Sequence, residues 1–248
     1  ADFIGAWQFG ADNNVDIRLS TWVEQINRAA KQIVMQDGSV LGYETLALAT
    51  GATPRRLPPS VGGTLEGVYL ARDKRDADLL AGEMRPGRRV LIIGGGYIGL
   101  EAAAVARHRG LEVTLIEMSD RILQRVAAKE TADIFRAIHR KHDVVIREKT
   151  GLKQLVGRNG HVAAAELSDG STIDVDFVVV GIGVAPNDRL AKEAGLEVGN
   201  GIVVDSFART SDPSIFAVGD CVELPWEGGR IRLESVQNAV DQAEADAE

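Results

Sequence analysis

Gly94-Gly95-Gly96-Tyr97-Ile98-Gly99 holds three glycines at the spacing Gly-x-Gly-x-x-Gly, and Glu117 follows 18 residues after the last of them. Each position has its own chemical use. Gly94 allows a tight turn out of a strand, and Gly96 lacks a Cβ, so a pyrophosphate can approach the backbone. Gly99 lets a helix pack close to a sheet. A carboxylate at the distance of Glu117 is placed to receive the two hydroxyls of an adenosine ribose and to repel a 2′-phosphate. That favours NADH over NADPH, although Arg121 and Arg125 follow closely and leave NADPH open. The plain alternative for Glu117 is a solvated acid at a strand end.

Such a glycine pattern carries weight only between the right elements. Arg89-Val-Leu-Ile-Ile93 reads as a buried strand before it, and an Ala-rich helix begins directly after it. The free N–H groups and positive dipole end of that helix suit phosphates. Glu112-Val-Thr-Leu-Ile-Glu117 reads as a second buried strand, and a helix is expected around 126–142. Upstream, residues 1–15 show no clear period. Val15 to Val23 alternates apolar and polar and predicts a strand. Gln32–Gln36 and Val40–Tyr43 predict a hairpin about Asp37-Gly38, followed by a short buried strand at Thr45–Ala49. Residues 54–67 read as loop, Arg72 to Met84 as a polar helix closed by Pro86-Gly87, and 143–181 as several strands with turns at Gly157–Gly160 and 169–170.

Composition sets outer bounds. The chain has 248 residues, 45% hydrophobic and 26% charged, with a formal net charge of −8. That length holds one large or two ordinary domains. The acidic balance argues against nucleic acid or an anionic membrane as the partner of the whole chain. No apolar run approaches the ~20 residues of a spanning helix. Cys221 is the single cysteine, so a reducing, cytoplasmic setting is expected and an intrachain disulfide is excluded. The four histidines, His108, His139, His142 and His161, share no ligand spacing, and no metal site is expected.

A repeat adds to this. Asp37-Gly-Ser-Val-Leu-Gly-Tyr-Glu-Thr-Leu-Ala-Leu-Ala-Thr-Gly-Ala-Thr-Pro54 aligns without a gap to Asp169-Gly-Ser-Thr-Ile-Asp-Val-Asp-Phe-Val-Val-Val-Gly-Ile-Gly-Val-Ala-Pro186, at an offset of 132. Both carry Asp-Gly-Ser, a buried strand and Gly-x-x-Pro, as two copies of one unit would. Two unrelated hairpins with similar turns are the alternative. In the second copy Gly94 precedes Gly183 by 89 residues. The same spacing sets a first glycine turn about 38 residues before Ala1, so the first unit is expected to be truncated. Near the end, the strand Ile215–Val218 delivers Gly219-Asp220, whose carboxylate suits a polyol hydroxyl or serves as a simple turn cap. Cys221 reads as a small buried residue. A helix follows Leu233-Glu-Ser, with Ser235 as its N-cap.

Taken together, the motifs resemble the two-dinucleotide-binding flavoprotein oxidoreductases, and within them the NADH-dependent ferredoxin reductases. The pieces that carry the likeness are Tyr43-x-x-Leu-x-Leu-Ala-Thr-Gly-Ala-x-Pro-Arg55, Ile92–Glu101, Gly181-Ile-Gly-Val-Ala-Pro-Asn187, Ala217–Cys221 and Glu234-Ser-Val-Gln-Asn-Ala239. The last of these points to the ferredoxin reductase branch. The resemblance implies an α/β fold of two three-layer Rossmann-like units. Residues 1–73 and 206–248 would form the FAD unit and 74–205 an NAD-binding domain inserted in it. The family's C-terminal interface domain would be absent.

For FAD the resemblance implies Val23, Thr50, Gly51, Ala52, Arg72, Asp220 and Val236. For NAD(H) it implies Gly94, Gly96, Ile98, Gly99, Glu117 and Gly183, with Glu101 near the carboxamide or simply a helix-start acid. No side-chain nucleophile is implied, because electrons pass from NADH through FAD to a ferredoxin-type iron–sulfur protein, as in monooxygenase or dioxygenase systems. Two rivals share the scaffold features: an NADH oxidase, peroxidase or CoA-disulfide reductase, and a non-catalytic nucleotide sensor.

Overall fold

The computed structural model describes residues 12–247; the reading of residues 1–11 lies outside them. The strands begin with β1 (Val23–Asn27), β2 (Gln32–Met35), β3 (Val40–Gly42), β4 (Leu46–Leu48), β5 (Ala52–Pro54) and β6 (Val68–Tyr69). Then come α1 (Lys74–Glu83), β7 (Arg89–Ile93), α2 (Tyr97–His108), β8 (Glu112–Glu117), α3 (Lys129–Lys141) and β9 (Val144–Glu148). Next are β10 (Leu152–Arg158), β11 (His161–Leu167), β12 (Thr172–Asp174), β13 (Phe177–Val180) and β14 (Val184–Pro186). The chain continues through α4 (Arg189–Glu193), β15 (Ile202–Val203), β16 (Ile215–Ala217), β17 (Val222–Trp226), β18 (Gly229–Ile231) and α5 (Val236–Ala247). Among the described residues no helix is long and apolar enough to cross a membrane.

The chain forms two compact units, 53–185 and the pair of segments 1–52 and 186–248. These limits differ from 73/74 and 205/206, the division expected from sequence, and packing explains why. β6 pairs in parallel with β13, which draws 53–73 into the contiguous unit. On the other side Ala191, Leu196 and Ile202 share a core with Ile26, Leu48 and Ile215.

The contiguous unit is a three-layer sandwich. Its parallel sheet has the order β6-β13-β7-β8-β9, and β10-β11-β12 form an antiparallel sheet. Alternation of side chains across the parallel strands builds two cores. Val90, Ile92, Val113, Leu115, Phe177 and Val179 face Leu100, Ala103 and Ala106 of α2. Leu91, Ile93, Ile116, Val178 and Val180 face Leu155, Val162, Ala165 and Leu167 of the antiparallel layer. Strands buried on both faces read as continuous apolar runs, which is why β7 and β13 are conspicuous in the sequence.

In the other unit β1-β2-β3 form an antiparallel sheet, β4 pairs in parallel with β16, and β15, β17 and β18 form a third sheet. The expected strand over 15–23 is not formed. Val15, Leu19 and Trp22 remain 49%, 62% and 73% exposed, so the alternation buries nothing, and Ser20 turns the chain at φ +53°.

The repeat is a repeat of bonds. In each copy the aspartate Oδ1 accepts the serine N–H at 2.9 Å, Ser39 on Asp37 and Ser171 on Asp169. Gly38 and Gly170 sit at φ +83° and +84°. Their N–H groups donate to Met35 O and Leu167 O.

Candidate functional site

β7 ends at the switch point of its sheet, where successive connections run to opposite sides and the carboxyl ends of strands leave a crevice. The three fingerprint glycines act differently there. A Cβ on Gly94, which lies at φ +108°, would stand 2.2 Å from Gly181 O, and one on Gly99 would stand 2.0 Å from Gly94 O. These two are required by the packing of β7, β13 and α2 on one another. A Cβ on Gly96, the N-cap of α2, would meet nothing within 4 Å. Nothing in the chain itself forbids a side chain at Gly96; the glycine leaves backbone open on the outer side of the turn.

Gly95, an unassigned position in the sequence pattern, proves to be central. Its N–H donates to Glu117 Oε2 at 2.7 Å, and its carbonyl accepts Leu123 N–H at 2.9 Å. A Cβ there would lie 2.8 Å from Ile122 Cγ2 and 3.2 Å from Glu117 Oε2. The other oxygen of Glu117, Oε1, accepts Ser119 N–H at 2.7 Å. Two backbone donors therefore orient the carboxylate, and each oxygen retains a lone pair for a further donor. Arg121 turns its guanidinium onto the carbonyls of Ile122, Gln124 and Ala127, while Arg125 is exposed.

That loop is braced from below. Ile122 N–H donates to Glu148 Oε1 at 2.9 Å, and Arg136 grips the same carboxylate, with Nη2 2.7 Å from Oε1 and Nε 3.0 Å from Oε2. Burial alone would raise the pKa of Glu148, but the Arg136 hydrogen bonds and the Ile122 N–H outweigh it and hold it below the ordinary 4.5. A depressed carboxylate pKa gives stability that is present above pH 4.5 and lost as pH falls through the lower folded-state value. With both side chains 17% exposed, Arg136→Ala is expected to cost about 2 kcal/mol at pH 7. In urea titrations the difference from wild type should shrink as pH falls below 4.5 and Glu148 protonates; a constant difference across pH would sink this account.

The remaining candidates of this unit lie on several different elements. Ile98 is 41% exposed on the first turn of α2. Glu101 is exposed but lies beyond that turn, because the helix begins at Tyr97. Gly183 adopts φ +89°, and its carbonyl accepts Arg55 N–H at 2.9 Å. Arg72 is exposed and belongs to this unit, its N–H bonded to Asp76 Oδ2.

The discontinuous unit contains Val23, Thr50, Gly51, Ala52, Asp220 and Val236. Val23 opens β1, opposite Met35. Thr50 and Gly51 are clasped by Asn187. Thr50 Oγ1 donates to Asn187 O at 2.7 Å, Asn187 Nδ2 donates to Thr50 O at 2.8 Å, and Asn187 N–H donates to Gly51 O at 2.9 Å. Ala52 is buried. Asp220 sits in the 3-10 turn Gly219–Cys221, with Cys221 fully buried beneath it. Gly219 N–H donates to Gln242 Oε1 at 2.7 Å, which ties the turn to α5. Ser235 Oγ accepts Asn238 N–H and caps that helix, whose first residue Val236 is 83% exposed. Asn187→Ala removes one bond of the clasp; a loss of about 1 kcal/mol, seen as a fall of ~3 °C in thermal midpoint, is expected, and an unchanged midpoint would remove the clasp's importance.

These features define a two-unit α/β protein with a dinucleotide-type glycine turn in its contiguous unit. The chain belongs to the pyridine nucleotide-disulphide oxidoreductase family, whose profile matches residues 8–243. Rhodocoxin reductase of Rhodococcus erythropolis is 42% identical over 238 residues, covering 95% of this chain and 56% of that protein. The covalent putidaredoxin reductase–putidaredoxin complex gives a TM-score of 0.91 at 38% identity, covering 96% of this chain and 58% of its match. A ferredoxin reductase from Rhodopseudomonas palustris gives 0.92 at 36%, covering 97% and 59%. The chain thus spans somewhat over half the length of the relatives it matches.

Proposed function

We propose that this chain is the greater part of the cofactor-binding portion of an NADH-dependent ferredoxin reductase. Such an enzyme takes electrons from NADH through FAD to a ferredoxin-type iron–sulfur protein serving a monooxygenase or dioxygenase, in the cytoplasm. The observation that carries the reading is the Gly94–Gly99 turn, where Gly94, Gly95 and Gly99 are demanded by packing and Gly96 alone opens outward. That is a cradle for a phosphate-bearing ligand at a helix N-terminus. Gly94, Gly96, Ile98 and Gly99 would hold the NAD(H) backbone, Glu117 its adenosine ribose, and Gly183 and Glu101 its nicotinamide end. The contiguous unit is accordingly the NAD(H) unit.

Val23, Thr50, Gly51, Ala52, Asp220 and Val236 would hold FAD. The Asn187 clasp keeps Thr50 and Gly51 in place, and the bond from Gly219 N–H to Gln242 fixes the Asp220 turn. When bound, the flavin supplies the two-electron to one-electron conversion that an iron–sulfur acceptor needs. The chain's residues contribute binding and orientation, and no side chain here needs to act as nucleophile. The names of the relatives support the ferredoxin branch: they are reductases of rhodocoxin, rubredoxin and putidaredoxin.

The full-length protein is expected to be yellow, to be bleached by NADH in preference to NADPH, and to reduce a [2Fe–2S] ferredoxin anaerobically. A colourless protein, or a yellow one that reduces oxygen or a CoA disulfide but no iron–sulfur carrier, would overturn the reading in favour of a rival.

A further inference from the structure

Arg232 connects β18 to the start of α5, and nothing in the sequence pattern marks it. Its side chain is 6% exposed, with Nη2 2.7 Å from Glu234 Oε1. Nη1 donates to the carbonyl of Asp220 at 3.3 Å. Nε is buried with no acceptor, and among the described residues it is the only buried side-chain nitrogen or oxygen left in that condition. A guanidinium offers Nε and Nη2 as a fork that takes two oxygens side by side. Here Glu234 fills one prong. A buried donor without a partner is unfavourable and calls for an explanation, one of which is a group bound from outside the chain. The residue is anchored at the Asp220 turn by one nitrogen and at Glu234, two residues before Val236, by another.

We infer that Arg232 is a cofactor-contacting residue whose Nε–H donates to an oxygen of the flavin nucleotide held at the Asp220 turn. This rests on the reading of the discontinuous unit as the FAD unit. The same guanidinium positions that turn, because Nη1 holds the Asp220 carbonyl while Nη2 holds the segment leading into α5. An arginine suits the place better than a lysine, since only a planar fork holds two protein groups and still presents a third, fixed N–H.

The test uses the full-length protein, stripped of flavin and titrated with FAD, with the apoprotein's thermal midpoint measured alongside. Arg232→Lys keeps the charge but removes the Nε–H. It is expected to raise the FAD dissociation constant about tenfold and to shift the bound-flavin absorption band, with the apoprotein midpoint held within ~2 °C of wild type. Glu234→Gln leaves Nε in place and should change FAD affinity by less than ~threefold. An unchanged FAD constant in Arg232→Lys overturns the inference. So does a weakening matched by an equal loss of apoprotein stability, which marks a structural role, or an equal weakening in Glu234→Gln, which assigns the effect to the ion pair. Wild-type protein that takes up no FAD would overturn the FAD reading itself, a different result from any of these.

Discussion

Gly99→Val is expected to lower stability by about 3 kcal/mol or more and to abolish measurable NADH binding, whereas Gly96→Ala should lose NADH affinity alone. The two substitutions fall three residues apart in one turn, so composition alone predicts similar effects. Geometry separates them. A Cβ at 99 would stand 2.0 Å from the carbonyl oxygen of Gly94, a backbone atom with no flexible end to swing aside. Relief requires α2 to move off β7, which would loosen the packing of Leu100 and Ala103 on Ile92. A Cβ at 96 meets no protein atom within 4 Å. It adds bulk only on the side from which a phosphate would come, so the Gly96→Ala protein should melt within ~2 °C of wild type. Its NADH dissociation constant should rise by ~tenfold or more. Thermal unfolding and NADH fluorescence titration read both effects. Equal destabilisation by the two variants would contradict the division of labour among the glycines.

Glu117→Ala is expected to act in two ways. Gly95 and Ser119 lose the acceptor of their N–H groups, a loss of about 2 kcal/mol for two charge-assisted bonds at a half-buried site. In the full-length enzyme the ratio of kcat/KM for NADH over NADPH should also fall by ~100-fold, since the carboxylate would both receive the ribose hydroxyls and repel a 2′-phosphate. Glu117→Gln separates the two effects. It keeps an acceptor for one of the N–H groups and so recovers part of the stability, but it removes the charge that opposes NADPH. A stability loss with an unchanged nucleotide ratio would leave Glu117 as a brace for the glycine loop and take away its assignment to the ribose.

What the sequence made legible follows from the range over which its signals act. Strand β7, the glycine turn, helix α2 and strand β8 are contiguous, and each carries a local signature: an apolar run, glycines at fixed spacing, small helix residues, a strand-end acid. The hairpin turns at Asp37 and Asp169 were readable for the same reason, being closed by bonds between neighbours two residues apart. Non-local partnerships were not readable. The clasp of Asn187 on Thr50 joins residues 137 apart. Gly95 looked like filler because the atoms that exclude a side chain there, on Ile122 and Glu117, arrive from the next strand and loop. Arg232 gave no signal, since burial of a guanidinium shows only after packing. The strand expected over 15–23 fails through residue 22 for the converse reason: alternation is necessary for a half-buried strand, but it needs a layer to pack against. The division of the chain at 73 and 205 followed motif spacing, and the pairing of β6 with β13 moved it.

The pairing of β4 with β16 also constrains how the protein is made. Leu46 aligns with Ile215, so this strand leaves the ribosome long before its partner exists. At ~5–20 residues per second, the intervening stretch takes on the order of ten to thirty seconds to synthesise. The contiguous unit, by contrast, holds all its strands and helices between residues 53 and 185 and can close while β16 is still untranslated. Through that interval Leu46 and Leu48 remain without their partner strand in the nascent chain, a template for the wrong strand or a hold for a chaperone. The order of assembly is thereby set by the genetic order of the elements: the contiguous unit first, and the unit made of the two flanking segments last.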